Sequence, residues 1–178
     1  ADNSRARLEA EPSANGRRKM LFGMGSLSLG ELAGERMKVS LEANSTEDEH
    51  DCFSDNTHHS HFYNGLGIRN IYLGEYRRVN GDILSGPSLS SLVAQVDPAA
   101  DATLKADLDN TQARLRALVD SAAQGVHYDQ LIAADNAEGN QLIRDAIAAL
   151  VKQTASIEQA AARLGIGDLN PDTADHEF

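Results

Sequence analysis

A single apolar seam near the C-terminal end constrains the fold of this chain more than any other feature. Over residues 137–164, apolar and small side chains recur at alternating spacings of four and three, the period of one helix face. Gly165 follows directly, as glycine often does where a helix ends. Such a stripe must be covered by other helices, so the sequence predicts an all-α, antiparallel helical bundle. The seam consists of Ile143, Ile147, Leu150, Thr154, Ile157, Ala161 and Leu164.

Further helices are indicated by their start signals. Asp97 is a plausible N-cap, with Pro98 at the first helical position, which predicts a long helix over Pro98–Ala123. We expect this helix to pack antiparallel to the helix over 137–164. Shorter helices are predicted over residues 88–96 and from residue 54 or 55 to about residue 76.

The N-terminal part places several glycines inside an otherwise helical apolar pattern. Glycine costs about 1 kcal/mol relative to alanine in a helix interior, so close packing or a helix break is expected. Ser28 with Glu31 three residues later is a capping-box pattern and predicts a fresh helix over residues 29–43. Residues 80–87 are rich in turn formers. The glycines are Gly23, Gly25, Gly30 and Gly34.

Charge and composition exclude several classes of protein. The chain carries 27 acidic against 16 basic residues, a formal net charge of -11, which argues against nucleic-acid binding. No apolar run approaches the roughly 18 residues of a transmembrane segment. The single cysteine, Cys52, excludes an internal disulfide and a multi-cysteine metal site. We expect one helical domain over residues 1–178, with a flexible acidic tail over 171–178.

Ligand-type side chains concentrate in residues 46–61, which hold four of the six histidines among several acids. Neutral imidazole and carboxylate are the ligands that suit iron and zinc in proteins. On one continuous helix, Glu47, His50 and His58 would share an arc of roughly 100°. We therefore predict a divalent metal site from these three residues. The alternative is a solvated acidic loop without metal.

The other histidines are expected outside this set. His59 and His61 would lie to either side of His58 on a helix, so both are predicted as bystanders. His127 and His176 are isolated in sequence and are interpreted as surface or structural histidines. Cys52 is interpreted as a small buried hydrophobe.

Charged residues also interrupt the apolar segment after Ser28. Glu31 and Glu35 lie one helical turn apart, and Arg36 follows. Buried charges need partners or a metal, so a role in a site is one reading. The other reading is structural, with the charges either on an exposed helix face or in an internal Glu–Arg pair.

Three ordered runs in the sequence carry a family resemblance. They are GSLSLGELAGERM at 25–37, EDEHDCFSDNTH at 47–58 and GIRNIYLG at 67–74, and together they resemble the imelysin family. That resemblance implies iron-regulated bacterial proteins of the periplasm or outer membrane, built as a pair of helical bundles. The family's Gly-x-His-x-x-Glu signature does not occur here. The chain therefore resembles the C-terminal half alone.

The resemblance also implies where a site would lie. Glu35 and Arg36 match positions of a catalytic type, Ser54 and Asp55 match cofactor-binding positions, and the site is completed by an N-terminal half. We expect a role in binding or uptake of iron or another divalent metal. A metallopeptidase of the M75 type and a metal-free helical interaction module are the alternatives.

Partners follow from the same reasoning. A bundle face that should meet the missing half would leave an apolar patch, so we expect association with an N-terminal half or self-association. Other iron-uptake components are further candidate partners. Localisation in the periplasm or at the outer membrane is expected from the resemblance.

Overall fold

Helices build almost all of the computed structural model, which describes residues 3–173 and 175–178. The all-α prediction is confirmed; a single two-stranded hairpin is the only sheet in the described residues. In chain order the elements are α1 (Ser4–Ala10), α2 (Ser13–Ser26), a π-helical segment (Leu27–Lys38), α3 (Val39–Ala43), a 3-10 turn (Thr46–Asp48), α4 (Thr57–Leu73), β1 (Glu75–Arg77), β2 (Ile83–Ser85), α5 (Leu89–Val96), α6 (Pro98–Ala123), α7 (Tyr128–Leu131) and α8 (Ala137–Arg163).

Helices α6 and α8 pack antiparallel, as predicted. At the start of α6, Asp97 accepts hydrogen bonds from the backbone N–H groups of Ala99 and Ala100, at 3.1 and 3.0 Å. The same carboxylate lies 2.9 Å from Arg163 at the end of α8. One aspartate thus caps α6 and ties it to the opposite end of its neighbour.

Helix α2, the π-helical segment and α3 follow one another without a break, so the fresh start predicted at Ser28 is wrong. Ser28 is buried, and its hydroxyl donates to the Leu150 carbonyl at 3.0 Å and accepts from Gln153 at 2.8 Å. Because its side chain bonds across to α8, it does not cap its own helix. The π-helical geometry begins at Leu27, the residue before Ser28.

Helix α4 begins at Thr57, two to three residues later than predicted, and ends at Gly74 in the left-handed conformation (φ 65°). A β-carbon on Gly65, in the middle of α4, would lie 2.4 Å from Leu115 of α6. Glycine at this position therefore lets the two helices approach closely. Beyond Gly74 the turn-rich segment forms the β1–β2 hairpin, which the sequence analysis did not predict.

A buried polar network joins α4, α5 and α6. Asp101 accepts hydrogen bonds from Tyr72 at 2.9 Å, Ser90 at 2.7 Å and Lys105 at 2.7 Å. Although burial acts in the opposite direction, these donors lower the pKa of Asp101 below its ordinary value. The network fixes three helices around one ionised carboxylate.

A flexible acidic tail was expected over residues 171–178; its described residues, 171–173 and 175–178, lie along the rod made by α2 and the π-helical segment. The Asp172 N–H donates to Ser26 at 2.9 Å, and the Lys38 ammonium bonds the Glu177 carbonyl. β-Carbons on Gly25 and Gly34 would lie 2.8 Å from Pro171 and His176. The close packing expected from the glycine pattern occurs here.

In the described residues, no helix is both long enough and apolar enough to cross a membrane.

Candidate functional site

A loop between α3 and α4 brings the histidines together. Asn44 ends α3 with φ 48° and donates a 2.7 Å hydrogen bond to the Ile132 carbonyl. At the other end, Asp55 adopts φ 51°, and the Asp51 N–H donates to Thr57 at 3.0 Å. The loop therefore folds back over the first turns of α4, and the continuous helix considered for this segment does not form.

His61 lies at the centre of the cluster. It is fully buried, and both of its ring nitrogens lack a hydrogen-bond partner in the described part of the chain. Its ring is 6.1 Å from that of His50, stacked at 26°, and 5.1 Å from that of Tyr128. Burial, with the nearby His50 and Arg36, lowers the pKa of His61 to about 3. The imidazole is therefore neutral at physiological pH, the form that can ligate a metal.

His58, in the first turn of α4, contacts two other histidines. It is 6% exposed, and its ring lies 5.6 Å from His127 and 4.4 Å from His59. Burial, assisted by those two histidines, lowers the pKa of His58. His58 Nδ1 is buried without a hydrogen-bond partner. His58, predicted as a metal ligand, thus lies among other histidines at the start of α4.

His127 is isolated in the sequence but not in space. Its Nδ1 lies 2.7 Å from a carboxylate oxygen of Asp55. This pair holds Asp55 next to His58, whose pKa the carboxylate partly restores. The link between α6 and α7 thus supplies a site residue that the sequence analysis placed elsewhere.

Carboxylates line a small cavity beside the histidines. The cavity measures about 270 Å³. Glu49 is 5% exposed, and its Oε1 is buried without a hydrogen-bond partner. Burial raises the pKa of Glu49, although Thr57 opposes the shift, and the carboxylates of Asp129 and Asp55 add to it. The lining residues are Thr46, Glu47, Glu49, Cys52, Phe53, Asp55 and Asp129.

The predicted residues of this loop divide into two groups. Glu47 lies exposed on the 3-10 turn at the edge of the acidic cavity, and His50 is exposed above His61. Ser54 is exposed and donates to the Asp51 carbonyl at 3.3 Å. The loop brings His50 and Asp55 to the histidine cluster, whereas it leaves Ser54 at the surface.

Arg36 reaches the cluster from the π-helical segment. Its guanidinium lies 3.2 Å from Glu31, five residues earlier, a spacing that the i to i+5 pattern of a π-helix brings onto one face. Arg36 is 23% exposed and lies close enough to His61 to act on its pKa. Glu35 is exposed. A Glu–Arg pair is present, with Glu31 as its acid, but the Glu31 side chain is 50% exposed, so the pair lies at the surface and is not internal.

The described residues do not complete a metal centre by themselves. Across 3–173 and 175–178, no three His, Cys, Asp or Glu side chains are placed so that they could hold one ion. The donors present are paired histidines and a separate row of carboxylates. A centre with three or more protein ligands therefore needs ligands from a second polypeptide or a movement of this loop.

Three site residues were missed or misplaced by sequence reasoning. His61 and His127 were set aside, and Glu49 was not singled out. His61 was set aside because its direction on a helix was compared only with that of His58, although 11 residues place it within about 20° of His50 on a regular helix. The usable signal was the three turn-forming residues at 54–56, which indicated that the helix begins there and does not continue from residue 46.

Comparison with known proteins identifies the family. The family model of imelysin, peptidase family M75, matches residues 1–157. No curated protein matches the chain. The match covers most of the chain, including the π-helical segment, the histidine loop and α4. The chain belongs to the imelysin family.

Proposed function

We propose that this chain contributes imidazole and carboxylate ligands to a divalent metal site, iron or zinc, that an N-terminal imelysin half completes. On this proposal the whole protein binds or takes up iron at the periplasm or outer membrane. The chain's own contribution is the cluster around His58 and His61 together with the acidic cavity.

The observation that carries the proposal is a set of buried polar atoms without partners. Burying an imidazole or carboxylate without a hydrogen bond costs on the order of 1–3 kcal/mol for each group. Such atoms are found on Glu49, His58 and His61, all near one helix end. A bound ion is one of the explanations for such groups in a native protein, and it is the one this proposal adopts.

The imidazole and carboxylate groups of this site supply some of the ligands that a divalent cation needs. The lowered pKa values of His58 and His61 keep both rings neutral, which suits metal ligation. His50 and His58, with Glu47 or Asp55, are the candidate ligands on this chain. Arg36, beside His61, would position the imidazoles through its charge instead of binding the metal itself.

The acid–histidine arrangement also favours a second candidate function, a metallopeptidase. Burial raises the pKa of Glu49 in this cavity, the direction of shift that makes a carboxylate a stronger general base. Glu35 and Arg36 were the catalytic candidates from the resemblance, and Arg36 is the nearer of the two to the cluster. A metal-free interaction module remains the third reading.

The proposal is tested by titrating the chain with Zn²⁺ or anaerobic Fe²⁺ and measuring the melting temperature, alone and with an N-terminal imelysin half. We expect metal to raise the melting temperature of the mixture, and His58→Ala to abolish that rise. His176→Ala, a histidine outside the cluster, is the matched control. Equal shifts in the His58→Ala and control mixtures would contradict the proposal.

Hydrolysis separates the two candidate functions. The metal-loaded mixture is incubated with an unfolded protein substrate, and fragments are followed by mass spectrometry. Metal binding without fragments supports a binding or uptake role. Fragments that depend on Glu49 would support the peptidase.

Cell fractionation tests the proposed location. The full-length protein is followed by immunoblotting in the bacterium that produces it. Recovery in the periplasmic or outer-membrane fraction supports the proposal, and recovery in the cytoplasm alone contradicts it.

A further inference from the structure

The β1–β2 hairpin stands away from the helical core. Every residue from Glu75 to Pro87 is exposed, including the apolar Tyr76, Ile83 and Leu84. An isolated two-stranded hairpin is only marginally stable in water, and an exposed apolar strand edge is a template for pairing with another chain. The hairpin therefore presents an unpartnered apolar surface.

The hydrogen bonds of the hairpin show which backbone groups face outward. The Gly86 N–H donates to the Gly74 carbonyl at 3.0 Å, and the Arg78 N–H donates to the Asp82 carbonyl at 2.8 Å. Bonded and non-bonded pairs alternate along an antiparallel ladder. Tyr76, midway between these two pairs, therefore directs its backbone groups toward β2.

Glu75 and Arg77, on either side of Tyr76, direct their N–H and C=O groups away from β2. Within the described residues, no hydrogen bond from outside the hairpin reaches these groups. They form a free edge with a donor and an acceptor on each residue. Their side chains carry opposite charges on the same face of the strand.

This edge is complementary to itself in a single register. An antiparallel pair centred on Tyr76 sets Glu75 opposite Arg77 of the second copy, and each pair exchanges two backbone hydrogen bonds. Registers shifted by two residues place Glu75 opposite Glu75 or Arg77 opposite Arg77, and like charges directly opposite are destabilising. Shifts by one residue set outward backbone groups against inward ones. The pairing of opposite charges and the pairing of outward-facing backbone groups thus select the same register.

We infer that two copies of this chain associate through β1, forming a four-stranded antiparallel sheet with a two-fold axis at Tyr76. The register also places the two Tyr76 side chains side by side, next to Leu84 of each copy, on the face opposite the charges. The surface lies far from the histidine cluster, because His58 and Gly74 are separated by about 24 Å along α4. The inference is therefore independent of the proposed metal site.

Charge reversal tests the register. Sedimentation velocity over a concentration series is compared for wild type, Glu75→Arg, Arg77→Glu and the double variant, with far-UV circular dichroism to confirm folding. We expect reversible self-association of the wild type, about tenfold weaker association of each single variant, and recovery in the double variant. Glu158→Arg, which makes the same change in net charge on α8, should associate like wild type.

Three results would overturn the inference. They are a wild type that stays monomeric at every concentration, single variants that associate as well as wild type, and a double variant that does not recover. Pairing through β2, or binding of the hairpin to a different partner, would produce one of these results.

Disulfide trapping provides a second, independent measurement. In a Cys52→Ser background, Tyr76→Cys places two cysteines opposite each other at a non-bonded pair, where the α-carbons are within disulfide range. Val79→Cys is the control. Val79 lies fully exposed at the hairpin tip, so a cysteine there measures disulfide formation by random collision between two molecules. Faster dimer formation by Tyr76→Cys supports the inference, and equal or slower formation overturns it.

Discussion

The ring of His50 stacks over the buried ring of His61, with 6.1 Å between their centroids and 26° between their planes. His50 comes from the loop after α3, and His61 comes from the second turn of α4. The contact shows how the loop closes over imidazole nitrogens that find no partner within the described chain. We propose that these unpaired nitrogens lower the stability of the chain and are present because they take part in ligand binding.

Replacing His61 with Phe should stabilise the chain. The substitution removes two buried ring nitrogens without partners and keeps an aromatic ring against Tyr128. We expect the free energy of unfolding to rise by about 1–3 kcal/mol in urea denaturation at pH 7. A loss of more than about 1 kcal/mol would show that the ring nitrogens are satisfied in solution. Tyr72→Phe is the contrasting control, since it removes a hydrogen bond to buried Asp101 and should destabilise.

Two glycines on α2 should respond in opposite ways to alanine. A β-carbon on Gly23 meets no atom within 4 Å, whereas one on Gly25 would lie 2.8 Å from Pro171. Gly23→Ala should raise the free energy of unfolding by up to about 1 kcal/mol through helix propensity. Gly25→Ala should displace the C-terminal residues from the rod, which limited proteolysis followed by mass spectrometry would detect. Equal protease resistance in the two variants would count against the packing described here.

The hydrogen bonds of Ser28 to Leu150 and Gln153 of α8 should contribute to the free energy of unfolding. Ser28→Ala leaves the Gln153 amide without its acceptor inside the bundle. We expect a loss of about 1–3 kcal/mol in the free energy of unfolding. Ser54→Ala, at an exposed serine in the loop, should change it by less than about 0.5 kcal/mol. Similar effects at the two serines would contradict the assignment.

The Asp101 network predicts a specific acid sensitivity. The folded-state pKa of Asp101 is lowered, so its stabilising contribution is present above the ordinary aspartate pKa of about 3.9 and is lost as pH falls through the folded value. Wild type should lose stability more steeply than Asp101→Asn as the pH falls below about 4. Parallel curves of unfolding free energy against pH for the two proteins would be inconsistent with an ionised Asp101.

Periodicity predicted the long helices because each buries one continuous stripe. Helix α8 ends at Arg163, and α6 begins after Asp97 as its cap indicated. The pattern at Ser28 misled because a capping box is a local signal, and the same serine can bond across a helix interface instead. A buried donor on α8, Gln153, is visible only once the helices are packed.

The site was less predictable than the fold for a physical reason. Helical spacing fixes which residues share a face only while the backbone stays helical. The positive φ angles at Asn44 and Asp55 mark the ends of a loop that places His50 against His61, and the distant His127 contacts His58. The β1–β2 hairpin was also missed, because its strands are only three residues long.

Elemental analysis tests the central claim most directly. Wild type and a His50→Ala, His58→Ala double variant are purified without chelators, each with and without an N-terminal imelysin half. We predict about one metal ion per molecule for wild type only in the presence of the other half, and loss of that metal in the double variant. Equal metal content in wild type and variant under every condition would contradict the account and assign the histidine cluster a structural role.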